Sequence, residues 1–199
     1  MLRDFKAHIQ NWHVFNYLLI AKCYISKNTN DLYIAEFHNN RVQHWLPNGL
    51  NGTTAADGVV AGSGNSRIQF WSHGASVGLT IANGSQLSMP FGIWVDANGI
   101  MYITDYPNNY ILKWSPFAPN GSIIAGGNGS GNSANQLTGP VGIYLDETNN
   151  ILYVFNYDNH SVMKWTIGAT VGIVIAGSPG KSGSNATLLQ NPTDITLDQ

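Results

Sequence analysis

Charge is the scarcest property of this chain. Only 10% of its 199 residues are charged, nine Lys and Arg against eleven Asp and Glu, for a net charge of -2 at pH 7. Soluble domains average about 25%. The cations of the central and C-terminal parts, Arg41, Arg67, Lys113, Lys164 and Lys181, are scattered, mostly within strand-like runs. Affinity for a phosphate backbone needs clustered cations, so nucleic acid is not expected as a partner. Cysteine occurs once, at Cys23, which excludes an intrachain disulfide and leaves the redox compartment unmarked. Long apolar runs are missing too. FNYLLIA at 15–21 is short, interrupted by Asn16 and followed by Lys22, neither a signal peptide nor a span, and no membrane partner is expected. The glycine-rich AGGNGSGNS at 125–133 lacks the Lys-Ser/Thr of a phosphate loop and reads as a flexible connection.

What the chain does have is repetition. PFGIWVDANGIMYITDYPNNYILKW at 90–114 returns as PVGIYLDETNNILYVFNYDNHSVMKW at 140–165. Pro90 to Pro140 is 50 residues, and Tyr102 to Tyr153 and Trp114 to Trp165 are 51 each. A fixed period of this length, built from short apolar runs between Gly/Asn turns, is the mark of a β-propeller whose repeat is one four-stranded blade. The runs GIWVD, IMYITDY, YILKW and SIIAGG define one blade, and GIYLD, ILYVFNY, SVMKW and GIVIAG the next. In ILYVFNY the side chains of Ile151, Tyr153 and Phe155 alternate with those of Leu152 and Val154, so both faces are apolar and both need cover. Stacked blades supply that cover. The expected fold is therefore all-β and propeller-like, without a helix longer than one or two turns.

These residues resemble the NHL repeat family, whose units run P-x-G-I-x-V-D, then L-Y-V-x-D-x-x-N-x-R-I, then an aromatic residue. Gly92, Ile93, Asp96, Tyr102, Asp105, Asn108 and Trp114 fall on that pattern, as do Gly142, Ile143, Asp146, Tyr153, Asn159 and Trp165. Two positions depart from it. The second acidic residue is Asn156 in the later unit, and the Arg kept as Arg41 and Arg67 is replaced by Tyr110 and Ser161. An acid-to-guanidinium link is thus expected only between Glu36 and Arg41.

The earlier half becomes legible through the Trp that ends each third strand: Trp12, Trp45, Trp71, Trp114 and Trp165. Unequal gaps between them locate lost strands, one loss falling between Ala61 and Asn65 because GVVAG reads as a fourth strand. The expected units are 1–22, a degenerate half-blade or a leader; 23–64, a blade with an irregular start; 65–90, a half-blade; 91–139 and 140–191, full blades; and 192–199, the first strand of a further blade. The NHL propeller implied by the resemblance is a six-bladed ring, for which six such units need roughly 300 residues. An incomplete propeller is expected, with self-association through uncovered blade edges.

Chemistry is sparsely marked. Asp96, Asp146 and Asp198 recur at one position, as turn-capping residues do. The resemblance brings in a zinc lyase that cleaves hydroxyglycine peptides and lactonase-type propellers with acidic and Asn ligands, all built on the innermost strands. The first strands here contain no His, while His38 and His160 belong to turns, so neither a metal nor another cofactor is expected. Six N-x-S/T sequons, at Asn51, Asn83, Asn120, Asn128, Asn159 and Asn185, lean toward a secreted glycoprotein.

The function that this pattern supports is a non-catalytic binding module whose top-face loops meet a protein or peptide. Those loops carry the candidate binding residues His38, Asn39, Tyr106, Asn108, Tyr157, Asp158 and His160. Within them the Asn and aromatic positions recur while a neighbour varies, as His38, Pro107 and Asp158. The competing readings are part of a propeller enzyme of the amidating-lyase or lactonase type, and a nonfunctional fragment of a longer repeat protein.

Overall fold

The computed structural model describes residues 23–25, 32–36, 41–45, 53–54, 58–62, 66–71, 79–115 and 117–193. Among these there are fifteen strands and no helix. Four antiparallel sheets follow one another along the chain. The first is β1 (Cys23–Ile25), β2 (Leu32–Glu36), β3 (Arg41–Trp45) and β4 (Thr53–Thr54). The second is β5 (Gly58–Gly62), β6 (Arg67–Trp71) and β7 (Leu79–Asn83). The third is β8 (Pro90–Val95), β9 (Met101–Asp105), β10 (Tyr110–Trp114) and β11 (Ser122–Gly126). The fourth is β12 (Pro140–Asp146), β13 (Ile151–Asn156), β14 (Ser161–Thr166) and β15 (Ile173–Gly177). In each sheet the strands lie in chain order, each paired with the next, which is the construction of a propeller blade.

The second sheet corrects one strand assignment. GVVAG was expected to close the preceding blade, but β5 pairs with β6 in the register Gly62↔Arg67. The same register joins β2 to β3 at Glu36↔Arg41, β9 to β10 at Asp105↔Tyr110 and β13 to β14 at Asn156↔Ser161. β5 therefore stands in the second-strand place, and the fourth strand of the first sheet is the short β4, held through Gln43↔Thr54 and His44↔Thr53. Among the described residues the second unit has three strands where two were expected. The short turn between Gly62 and Arg67 makes the local hairpin the available pairing, and this outweighs the likeness of VVAG to IIAG. Residues 1–22 and 194–199, with the expectations attached to them, lie outside the described residues.

Stacking follows from the two-faced strands. Met101 and Ile103 of β9, with Leu112 and Trp114 of β10, enter one cluster with Ile68, Ile81, Ala82 and Leu87 of the second unit. Tyr102 and Ile111, from the opposite face, enter another with Ile143, Leu145, Leu152, Val154, Met163 and Trp165 of the fourth sheet. The core is thus a series of layers between blades rather than a centre within each. Both Trp indoles are buried, and each Nε1 donates to a carbonyl four residues on, Trp114 to Ala118 and Trp165 to Ala169, at 3.0 Å.

Close approach of neighbouring first strands explains the glycine of P-x-G-I. A Cβ on Gly92 would collide with the Val141 carbonyl oxygen, and one on Gly142 with the Thr193 carbonyl oxygen, the equivalent residue one unit later. Thr104 bridges the first of these contacts. Its Oγ1 accepts the Gly92 N–H at 2.6 Å and donates to the Val141 carbonyl at 3.1 Å. GIWVD and GIYLD consequently lie side by side, with the Trp94 and Tyr144 rings edge to face at 4.9 Å.

Candidate functional site

The loops between second and third strands, and those leading from a fourth strand to the next first strand, emerge at one end of the blades. Side-chain amides and carboxylates at the base of the first kind tie down the backbone of the second. Asp105, at the end of β9, accepts the Ser88 and Met89 N–H groups at 2.7 and 3.4 Å. Asn156, its equivalent on β13, accepts the Thr138 N–H through Oδ1 at 3.1 Å. The acidic residue of the repeat pattern is therefore a loop anchor, and an amide oxygen serves the same purpose. The amide has a second consequence: Asn156 Nδ2 and the Oγ of its cross-strand partner Ser161 are buried without a hydrogen-bond partner. In the third blade the Ser161 place is taken by Tyr110, whose hydroxyl donates to the Gln86 carbonyl at 2.5 Å and accepts from Asn108 Nδ2 at 3.1 Å. Burial, then the Asp105 charge, raises the Tyr110 pKa. In the second sheet Arg67 stands opposite Gly62 rather than an acid, and its Nε is buried and unpartnered.

Five of the candidate binding residues can be placed. Tyr106 is half-buried and donates its hydroxyl hydrogen to Asp158 Oδ2 at 2.7 Å, linking the second-turn loops of the third and fourth blades. Burial, then that hydrogen bond and the Asp158 charge, pushes the phenol pKa up to about 12. Asp158 itself is exposed. Gly139 lies beneath this link with φ +57°, where a Cβ would meet both the Asp158 carboxylate and the Tyr106 ring. Asn109, also at positive φ, accepts the Gly139 N–H through Oδ1 at 2.9 Å. Tyr157 is half-buried, and its carbonyl accepts Asn191 Nδ2 at 3.1 Å. His160 Nδ1 accepts the Asn191 N–H at 3.2 Å. Asn108 points back toward Tyr110 and supports the loop from within. His38 and Asn39 lie outside the described residues.

The structure thus brings Tyr106, Tyr157 and Asp158 to one surface and joins Phe91 to them. The Phe91 and Tyr106 rings are 5.4 Å apart, and Phe91, Tyr106 and Tyr157 pack around the buried Val141, Phe155 and Val162. Phe91, Asn109 and Gly139 were not singled out from sequence. A further signal was present in Leu87, Leu137 and Leu189, each three residues before the unit's opening proline, which seat the top-face connections into the cores.

The opposite end is built from turns. Asp96 Oδ1 accepts the Asn98 and Ile100 N–H groups at 2.9 Å each, and Asp146 accepts the Asn149 N–H at 3.1 Å and its Nδ2 at 2.8 Å. The Asn149 side chain, then its backbone N–H, holds the Asp146 carboxyl below its ordinary pKa. These recurring aspartates cap turns, and Asp198 lies outside the described residues. Among the described residues no group of three or more His, Cys, Asp or Glu is arranged to hold a metal ion.

Among proteins of known structure this chain is similar to β-propellers. It matches a nidogen/laminin complex at 19% identity and a TM-score of 0.64, over 85% of this chain and 65% of that one. It matches an auxiliary nutrient binding protein from Bacteroides thetaiotaomicron at 15% identity and a TM-score of 0.67, over 94% and 56%. A streptogramin B lyase matches at 16% identity and a TM-score of 0.52, over 72% and 50%. The chain spans between half and two thirds of these structures' lengths. No family model and no curated protein matches it. Together with the sheet order, these likenesses make the fold a β-propeller.

Proposed function

We propose that this chain is an NHL-type binding module, without catalysis of its own, that presents the top face of its blades to a protein or peptide partner. The observation that carries this reading is the cross-blade tying of the top-face loops. Tyr106 with Asp158 joins the turns of two blades and Asn109 with Gly139 ties a turn to the connection leaving its own blade, while Pro107 and Asp158, at the varying position of the turn, remain exposed. A rigid frame with variable exposed positions reduces the ordering cost of binding. Propellers are also found in binding roles, the nidogen/laminin complex among them.

Selection of displayed random peptides against the full chain tests the reading. Binders should emerge, lose affinity when Pro107, Asp158 and His160 are replaced together by Ser, and keep it when Asn98 and Glu147 of the opposite end are replaced. Binders sensitive only to the opposite-end changes would contradict the proposal.

A further inference from the structure

We infer that the Asp158 carboxylate, bound by the Tyr106 hydroxyl whose ring packs on Phe91, is a docking point for a cationic side chain, Arg or Lys, of a protein partner. This deepens the proposed function and rests on it. Asp158 Oδ2 is engaged by the Tyr106 hydroxyl, but Oδ1 accepts no hydrogen bond among the described residues, and the residue is exposed. Glu147, an exposed acid beside the Trp94 ring, differs in this respect. Its two oxygens already accept from Trp94 Nε1 at 3.3 Å and the Ala97 N–H at 3.2 Å.

The surroundings of Asp158 favour a positive charge. The Asp158 carboxylate raises the Tyr106 pKa both through the hydrogen bond it accepts and through its charge, after the larger effect of burial. A phenol that donates to a carboxylate has a more electron-rich ring, and such a ring beside a free carboxylate oxygen attracts ammonium or guanidinium groups both through the charge and through the π face. The geometry is preset. Gly139 permits the carboxylate and the Tyr106 ring to close over it, and Asn109 fixes the Gly139 N–H, so the site needs little rearrangement on binding. Asp158 also occupies the turn position held by His38 and Pro107 in other units, so the acid is particular to this blade.

The test is an NMR titration of the full chain with N-acetyl-arginine methylamide, the uncharged citrulline analogue serving as control. The expected result is a saturable shift of the Gly139 and Asp158 amide signals with the arginine probe and none with citrulline. D158N, whose amide oxygen still accepts from Tyr106, should weaken the response by roughly tenfold or more, whereas E147Q should leave it unchanged. No saturable shift, or an equal response from citrulline or from D158N, would overturn the inference. Top-face peptide binders selected equally well with and without basic residues would also overturn it, while leaving the proposed function standing.

Discussion

The third and fourth blades follow the same repeat pattern in different surroundings. The third meets a neighbour on both faces, Met101, Ile103 and Trp114 against the second sheet and Tyr102, Ile111 and Ile124 against the fourth, although Ile123 of its outer strand is exposed. The fourth shares that second layer, but its outer strand exposes Ile173 by 67% and Ile175 by 46%, and Ile175 stands where Ile124 packs in the blade before it. Leu189, the counterpart of the fully buried Leu137, is only partly covered. An apolar residue in a repeat unit is thus placed by its own strand but buried by the neighbouring unit. Repeats of this kind share stability across their interfaces rather than holding it individually.

The largest effects should come from the residue both blades bury alike. Trp114→Ala and Trp165→Ala should each cost about 3–5 kcal/mol, measured by denaturant unfolding. A much smaller loss at Trp165 would mean that the layer between the two blades is loose, sharpening the contrast between them. The outer strands should separate next. Ile124→Ala should cost about 2 kcal/mol, whereas Ile175→Ala should stay within about 0.5 kcal/mol, because its side chain has little cover to lose. Equal losses would break the comparison by showing that the fourth blade is covered on both faces.

A subtler difference lies in the buried polar pairs. Tyr110→Phe should cost about 1 kcal/mol, since it leaves the Gln86 carbonyl without its donor. Ser161→Ala should be neutral or stabilising by up to about 1 kcal/mol, because it removes a hydroxyl that has no partner. The smallest expected effect is in titration. Tyr106 has its pKa raised in the folded chain, so its contribution to stability is present below the unfolded value of about 10 and lost as pH rises through about 12. D158N should lower the Tyr106 transition from about 12 but leave it above the unfolded value, because burial is the first cause of the shift, read by ultraviolet absorbance against a Y106F reference.

Much of this fold was legible from spacing. The repeated Pro, Gly, Tyr and Trp located the third and fourth blades to within a residue or two, because periodic apolar runs and turn residues are local signals. The second unit was harder. VVAG resembles a fourth strand in composition, and only pairing across the turn to Arg67 makes it a second strand. A repeated bulge between the third and fourth strands, at Ile68/Gln69, Ile111/Leu112 and Val162/Met163, left no residue signature that spacing could reveal. The candidate site was legible in part. Tyr106, Tyr157 and Asp158 were marked by recurrence and variation in the turns, but Asn108 faces inward. Phe91 and Gly139 owe their places to a neighbouring blade, and Asn109 to a contact with Gly139 far along the chain, information that no turn motif contains.

The central claim, that consecutive units stand side by side with their first strands at a common axis, is tested most directly by the proton contacts of Trp94 with Tyr144. With ring centroids 4.9 Å apart, the two side chains should give strong aromatic nuclear Overhauser effects in the folded chain. Strong cross-peaks are the result this account predicts. Their absence, with both rings ordered and assigned, would place β8 and β12 in different layers and contradict the propeller.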